Sequence, residues 1–135
     1  LMQISSNKKA RAIVWFLLFY WQSISLPNVF GQSSSLSDGI FTQKQANSGG
    51  DLYKVHCSHC HSQDFYQDIE ISWSGMSVLD YWYRLRGTMP ADNPRSLNDI
   101  QYLELLAWVL SVNGYPSGEK PLLAKSYLGL IKFGG

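Results

Sequence analysis

With 135 residues, eleven Lys and Arg against ten Asp and Glu, and a net charge of +1, the chain has room for one small domain and no excess of positive charge with which to hold nucleic acid. No basic tract appears, and after Gly31 eight Lys and Arg stand against ten Asp and Glu, about −2. Composition therefore gives nucleic-acid binding no support.

The first element in chain order reads as an export signal. Lys8, Lys9 and Arg11 form a positive leader, and residues 12–21 (AIVWFLLFYW) are an uncharged apolar run. Gln22 and Ser23 interrupt the run and Pro27 follows, so it is short for a bilayer span. Val29 and Gly31 stand at the −3 and −1 positions of a cleavage site after residue 31. The alternative is an uncleaved membrane anchor, favoured by the bulk of Trp15, Phe16, Phe19, Tyr20 and Trp21. Either way the remainder is expected outside the cytoplasm, in the periplasm or an equivalent space. Residues 32–45 are expected to be a flexible lead-in, because the QSSSLS stretch is too polar to build a core.

A first helix is predicted to open at Ser48, where Ser48-Gly49-Gly50-Asp51 has the form of a capping box, and to run through Leu52, Tyr53, Val55 and His56. It leads into Cys57-x-x-Cys60-His61, the spacing that attaches a c-type haem. Each thiol can add across a haem vinyl group, and the adjoining His61 is then the proximal iron ligand. Zinc fits less well, since it wants four ligands. Cys57 and Cys60 are the only cysteines, and His56, His59 and His61 all crowd into the same turn. A thiol–disulfide site would want a preceding strand, and none is predicted. Covalent haem c is the expected cofactor.

A second helix is predicted from Ser77, with Asp80 three positions on, Val78, Trp82 and Leu85 along one face, and Gly87 as its end. Next comes Gly87-Thr88-Met89-Pro90. Proline holds the preceding methionine out of helical geometry, and a neutral thioether opposite His61 would bring a haem into the potential range of electron carriers. Met89 is thus the expected distal ligand, with Met76 its rival and core packing the alternative for either. A third helix, entered at Ser96 or Asn98, carries Ile100, Leu103, Leu106 and Leu110 and stops at Asn113-Gly114. No strand pair is predicted, so the expected class is all-α.

Gly50-x-x-Tyr53-x-x-x-Cys57-x-x-Cys60-His61 resembles the first helix and haem-attachment site of class I cytochromes c. Thr88-Met89-Pro90-Ala91-x-x-Pro94-x-Ser96-Leu97, then Tyr102, Leu106-Ala107-Trp108, Leu110 and Asn113-Gly114-Tyr115-Pro116-x-Gly118, resembles more narrowly the C-terminal cytochrome c module of quinohaemoprotein, PQQ-dependent alcohol dehydrogenases and related small cytochromes. The tail, Tyr127-Leu128 to Ile131 and Phe133, is similar too. The likeness covers residues 46–135 and implies a small helical fold wrapped around one covalently bound haem. It also implies thioether bonds at Cys57 and Cys60, iron ligation by His61 and Met89, and a crossing of the first and third helices near Gly50 and Trp108. Trp73 and Arg84 or Arg86 are candidates for propionate contacts by chemical type. One departure stands out: Ser62 replaces the usual Gly after the haem histidine, and no proline lies between His61 and Pro90, so the partner of the His61 ring must be some other group.

The expected function is single-electron transfer outside the cytoplasm without substrate chemistry. A quinoprotein dehydrogenase is the expected donor, and a cytochrome or terminal oxidase the acceptor. The alternatives are a haem enzyme with an open distal site and a haem subunit of a larger respiratory complex.

Overall fold

The computed structural model describes residues 35–124 and 126–135; the expected export signal lies outside them. The described chain is all-α, as the pattern predicts. Four helices, α1 (Gln43–His56), α2 (Ile69–Ser72), α3 (Val78–Thr88) and α4 (Asp99–Val112), are joined by loops that contain short 3-10 turns. The extended pairing present is two isolated bridges, Ser74 with Phe133 and Ser77 with Lys132. Among the described residues no helix is long and apolar enough to cross a membrane.

α1 begins earlier than its glycines suggest. Thr42 caps it, with Gln45 N–H donating to Thr42 Oγ1 (3.2 Å) and Thr42 N–H to Gln45 Oε1 (3.3 Å). The Ser48 box is therefore interior, because a closed box upstream and burial of Ala46 and Gly49 outweigh the modest helix penalty of glycine. Gln45 also clamps the backbone of Leu122, donating to its carbonyl (3.0 Å) and accepting from its amide (2.7 Å).

α3 and α4 start where capping chemistry predicts. Ser77 and Asp80 bond reciprocally, as do Asn98 and Gln101, which settles the α4 entrance on Asn98. The end of α3 needs correction. Gly87 stays helical, and the chain turns extended at Met89, where the following Pro90 forbids another helical residue. α4 is buried almost all round, through Tyr102, Leu103, Leu105, Leu106, Ala107, Trp108, Val109 and Leu110, and ends before Gly114 at φ 83°. Ile100, assigned by spacing to the apolar face, is 67% exposed because the first turn of α4 projects past the core.

The lead-in is also packed rather than loose. Leu36, Ile40 and Phe41 are buried in the common core, and Gly118 N–H donates to Phe41 O (2.7 Å). Residues ahead of residue 46 thus contribute to the core, since a few apolar side chains suffice where the rest of the domain offers them a surface. At the other end Leu122, Leu128, Ile131 and Phe133 are buried, and Val78 N–H donates to Ile131 O (3.0 Å), holding the tail on the entrance of α3.

α1 crosses α4 at the glycine pair. A Cβ on Gly49 would overlap the Glu104 carbonyl and come within 2.8 Å of Trp108 Cβ, whereas one on Gly50 would lie 3.1 Å from Trp108 Cδ1. At Gly87 an added Cβ would meet nothing within 4 Å. Gly49→Ala should therefore cost about 3 kcal/mol by overpacking. Gly87→Ala should gain about 0.5–1 kcal/mol from reduced chain entropy. Urea unfolding of both variants measures the two opposite signs.

Candidate functional site

Cys57 is the C-cap of α1, and the chain coils directly after it: Cys60 N–H (3.1 Å) and His61 N–H (2.9 Å) both donate to Cys57 O. Cys57 is buried and Cys60 exposed. His61 is fixed through its backbone, whose carbonyl accepts from the Tyr53 hydroxyl at 2.8 Å. Tyr53 lies stacked on Trp108, with ring centroids 4.2 Å apart at 17°, so the glycine crossing three and four residues upstream delivers the group that holds His61.

Two cavities meet at this segment. The larger, about 290 Å³, is walled by His61, Tyr66, Trp73, Tyr81, Leu85 and Met89, with Phe65, Arg84 and Thr88 at its margins. The smaller, about 120 Å³, is lined by both cysteines, His56, His59, His61 and the Met89-to-Asp92 turn. His61 and Met89, far apart in sequence, line both. Met89 is held there by its own amide, which donates to Leu85 O (3.0 Å), and by Tyr102, whose hydroxyl donates to Met89 O (2.7 Å). Met76 lines neither cavity. It is 45% exposed in the turn before α3, where its carbonyl accepts from Phe133 N–H.

The two arginines part company. Arg84 borders the larger cavity, as does Trp73, whose ring meets Tyr81 edge-on at 4.8 Å. Arg86 is engaged elsewhere, donating to Asp99 Oδ1 (2.6 Å) and lying 5.6 Å over the Trp82 ring.

The electrostatics bear on what the thiols do. Burial pushes the Cys57 thiol up, the Tyr66 hydroxyl hydrogen-bonded to it pulls the other way, and nearby Cys60 adds to the rise. Burial also raises the hydroxyls of Tyr66 and Tyr81. A thiol serving disulfide exchange wants a depressed pKa at a helix N-terminus, and Cys57 has the opposite on both counts. Nor do the described residues gather three or more His, Cys, Asp or Glu side chains around a point that would hold a bare metal ion. A haem brings four equatorial nitrogens of its own and asks the protein for axial ligands and a largely apolar slot. Here an imidazole and a thioether share cavities with both thiols and four aromatic rings, and this donor set suits that group.

Sequence reasoning passed over Phe65, Tyr66, Tyr81 and the second role of Asn113. Phe65 and Tyr66 did carry a signal, two adjacent aromatics in the otherwise polar stretch SQDFYQD. Asn113, expected only as a helix stop, donates from Nδ2 to Tyr66 O (2.6 Å) and accepts at Oδ1 from Ile69 N–H (3.1 Å). It thereby ties the loop after His61 to the end of α4. Asn113→Ala would leave these half-buried groups unpaired, and a loss of about 2 kcal/mol in urea unfolding is expected.

No protein-family model, no curated protein and no solved structure matches this chain, and the resemblance to cytochrome modules is carried by the quoted motifs alone.

Proposed function

We propose that the chain is an exported monohaem c-type cytochrome that carries single electrons. The observation that carries this reading is that His61 and Met89 line the same two cavities, one of which is also lined by both thiols of the Cys57-x-x-Cys60-His61 run. When bound, the haem would supply a reversible one-electron change at its iron. Cys57 and Cys60 would hold it covalently, and His61 and Met89 would supply the protein ligands to its iron. A thioether on one side favours the reduced state and so a higher potential. Were His61 and Met89 both to ligate the iron, the protein would leave no open position for a substrate, as expected of a carrier rather than a haem enzyme.

The rest of the site serves that task. Tyr66, Trp73, Tyr81 and Leu85 give the larger cavity a largely apolar wall, which would limit the solvent rearrangement that accompanies each change of charge. Arg84 stands at the margin where it would offset the negative charge of propionates. The expected partners are a PQQ-dependent dehydrogenase as donor and a cytochrome or terminal oxidase as acceptor. A membrane is involved only if the N-terminal segment is retained. Small carriers dock through modest, transient surfaces, so salt should slow exchange wherever charge steers the encounter.

Protein made with a cytochrome c maturation system should keep haem colour on a denaturing gel and be low-spin in both oxidation states. Met89→Ala should turn high-spin, bind carbon monoxide and fall in potential, while Met76→Ala should do neither. A colourless wild type would end the haem reading, and a high-spin wild type would favour the open-site enzyme.

Stopped-flow mixing tests the donor. A quinoprotein dehydrogenase with its alcohol should reduce the oxidised protein rapidly, and the protein alone should leave the alcohol unchanged. Reduction by a quinol-oxidising complex instead would keep the carrier and replace the donor.

A further inference from the structure

A histidine that binds a metal through one ring nitrogen ordinarily donates its other N–H to a carboxylate, a carbonyl or a water, and this bond fixes the ring and raises its basicity. The His61 ring makes no hydrogen bond to any described residue; the bond at this position is the one from Tyr53 to its backbone carbonyl. Its neighbours are aromatic. The Phe65 ring lies against it face to face, with centroids 4.4 Å apart at 27°, and Tyr66 presents an edge at 5.9 Å and 73°.

Core packing does not explain Phe65, which is 64% exposed. Its ring contacts are His61 and Tyr66, the latter at 5.2 Å and 88°. The turn that carries it is nevertheless firmly held. Phe65 N–H donates to Ser62 O (3.1 Å), the next residue Tyr66 is buried, and Asn113 holds the Tyr66 carbonyl. A rigid turn thus offers an apolar ring that faces solvent, borders the larger cavity and lies against His61.

Resting on the haem reading above, we infer that Phe65 is the positioning residue of His61, setting the plane of the imidazole by stacking where a hydrogen-bond acceptor would usually do so. A ring held in this way keeps its orientation but gains no basicity from a hydrogen-bonded partner. Loss of an aromatic stack of this kind shifts an equilibrium about 2-fold to 10-fold.

The test uses the haem-loaded full chain, with Phe65→Leu and Phe65→Trp beside the wild type. All three should keep covalent haem on a denaturing gel, because attachment runs through Cys57 and Cys60. Phe65→Leu should alter the ferric electron paramagnetic resonance g-values, which report the axial imidazole plane. It should also lose its low-spin spectrum about 2-fold to 10-fold faster after a jump to acid pH. Phe65→Trp, which can still stack, should match the wild type in both readouts. A Leu variant indistinguishable from the wild type overturns the inference, as does a Trp variant that behaves like Leu. Wild-type protein without covalent haem is a different result, overturning the haem reading and this inference with it.

Discussion

The contact on which the rest of the described structure depends is the close crossing of α1 over α4. Two successive glycines remove the side chains that would keep the helices apart, and Gly49 meets the Glu104 backbone directly. Helices normally pack 8–10 Å apart, and small residues at the crossing permit the near end of that range. The approach brings Trp108 against Tyr53, Tyr53 reaches the His61 carbonyl, and the coil that carries both cysteines is set against the core. Local helix propensity is given up at the glycines and recovered as burial along α4.

From that crossing the site is assembled by aromatic contact more than by polar bonds. Tyr53, Tyr66 and Trp108 form a cluster of mutually touching rings, and Phe65 and His61 extend it toward solvent. Around the cluster backbone and side-chain groups are paired, Tyr53 with the His61 carbonyl, Asn113 with Tyr66 and Ile69, and Tyr102 with Met89, while the His61 ring is held by stacking alone. Such pairing matters because each buried donor or acceptor left alone would cost about 1–3 kcal/mol. A domain of this size buries little surface for its length. On the proposed reading, an apolar cofactor against Trp73, Tyr81 and Leu85 adds to a core that the polypeptide alone keeps thin.

The loop after His61 departs from the pattern of the modules it resembles, and the structure gives the departure a physical form. With Ser62 in place of glycine and no proline before Pro90, the chain makes a short 3-10 turn over Gln63–Tyr66. The turn buries Tyr66 and leaves Phe65 outside. Its anchor is a side chain at the C-terminal end of α4, Asn113, five residues past Trp108 at the crossing.

What was legible in the sequence was whatever is decided within a few residues. The all-α class, the cap at Ser77, the stop at Asn113-Gly114 and the crowding of Cys57, Cys60 and His61 into one turn all follow from local bonding and periodicity. Even locally, rival signals could mislead, as when Ser48 looked like a helix start although the Thr42 box closes first. Only the tertiary structure decided that Leu36 and Phe41 belong to the core and that Arg84 rather than Arg86 borders the cavity. It also brought Met89 and not Met76 beside His61, and stacked Phe65 on the His61 ring. For the first three the reason is common: each depends on which surfaces meet once α1 has crossed α4 and the tail has docked on α3, and contacts between segments that far apart leave no spacing along the chain to be read. Phe65 lies only four residues from His61, and its stack was decided by the 3-10 turn whose Tyr66 is held by Asn113.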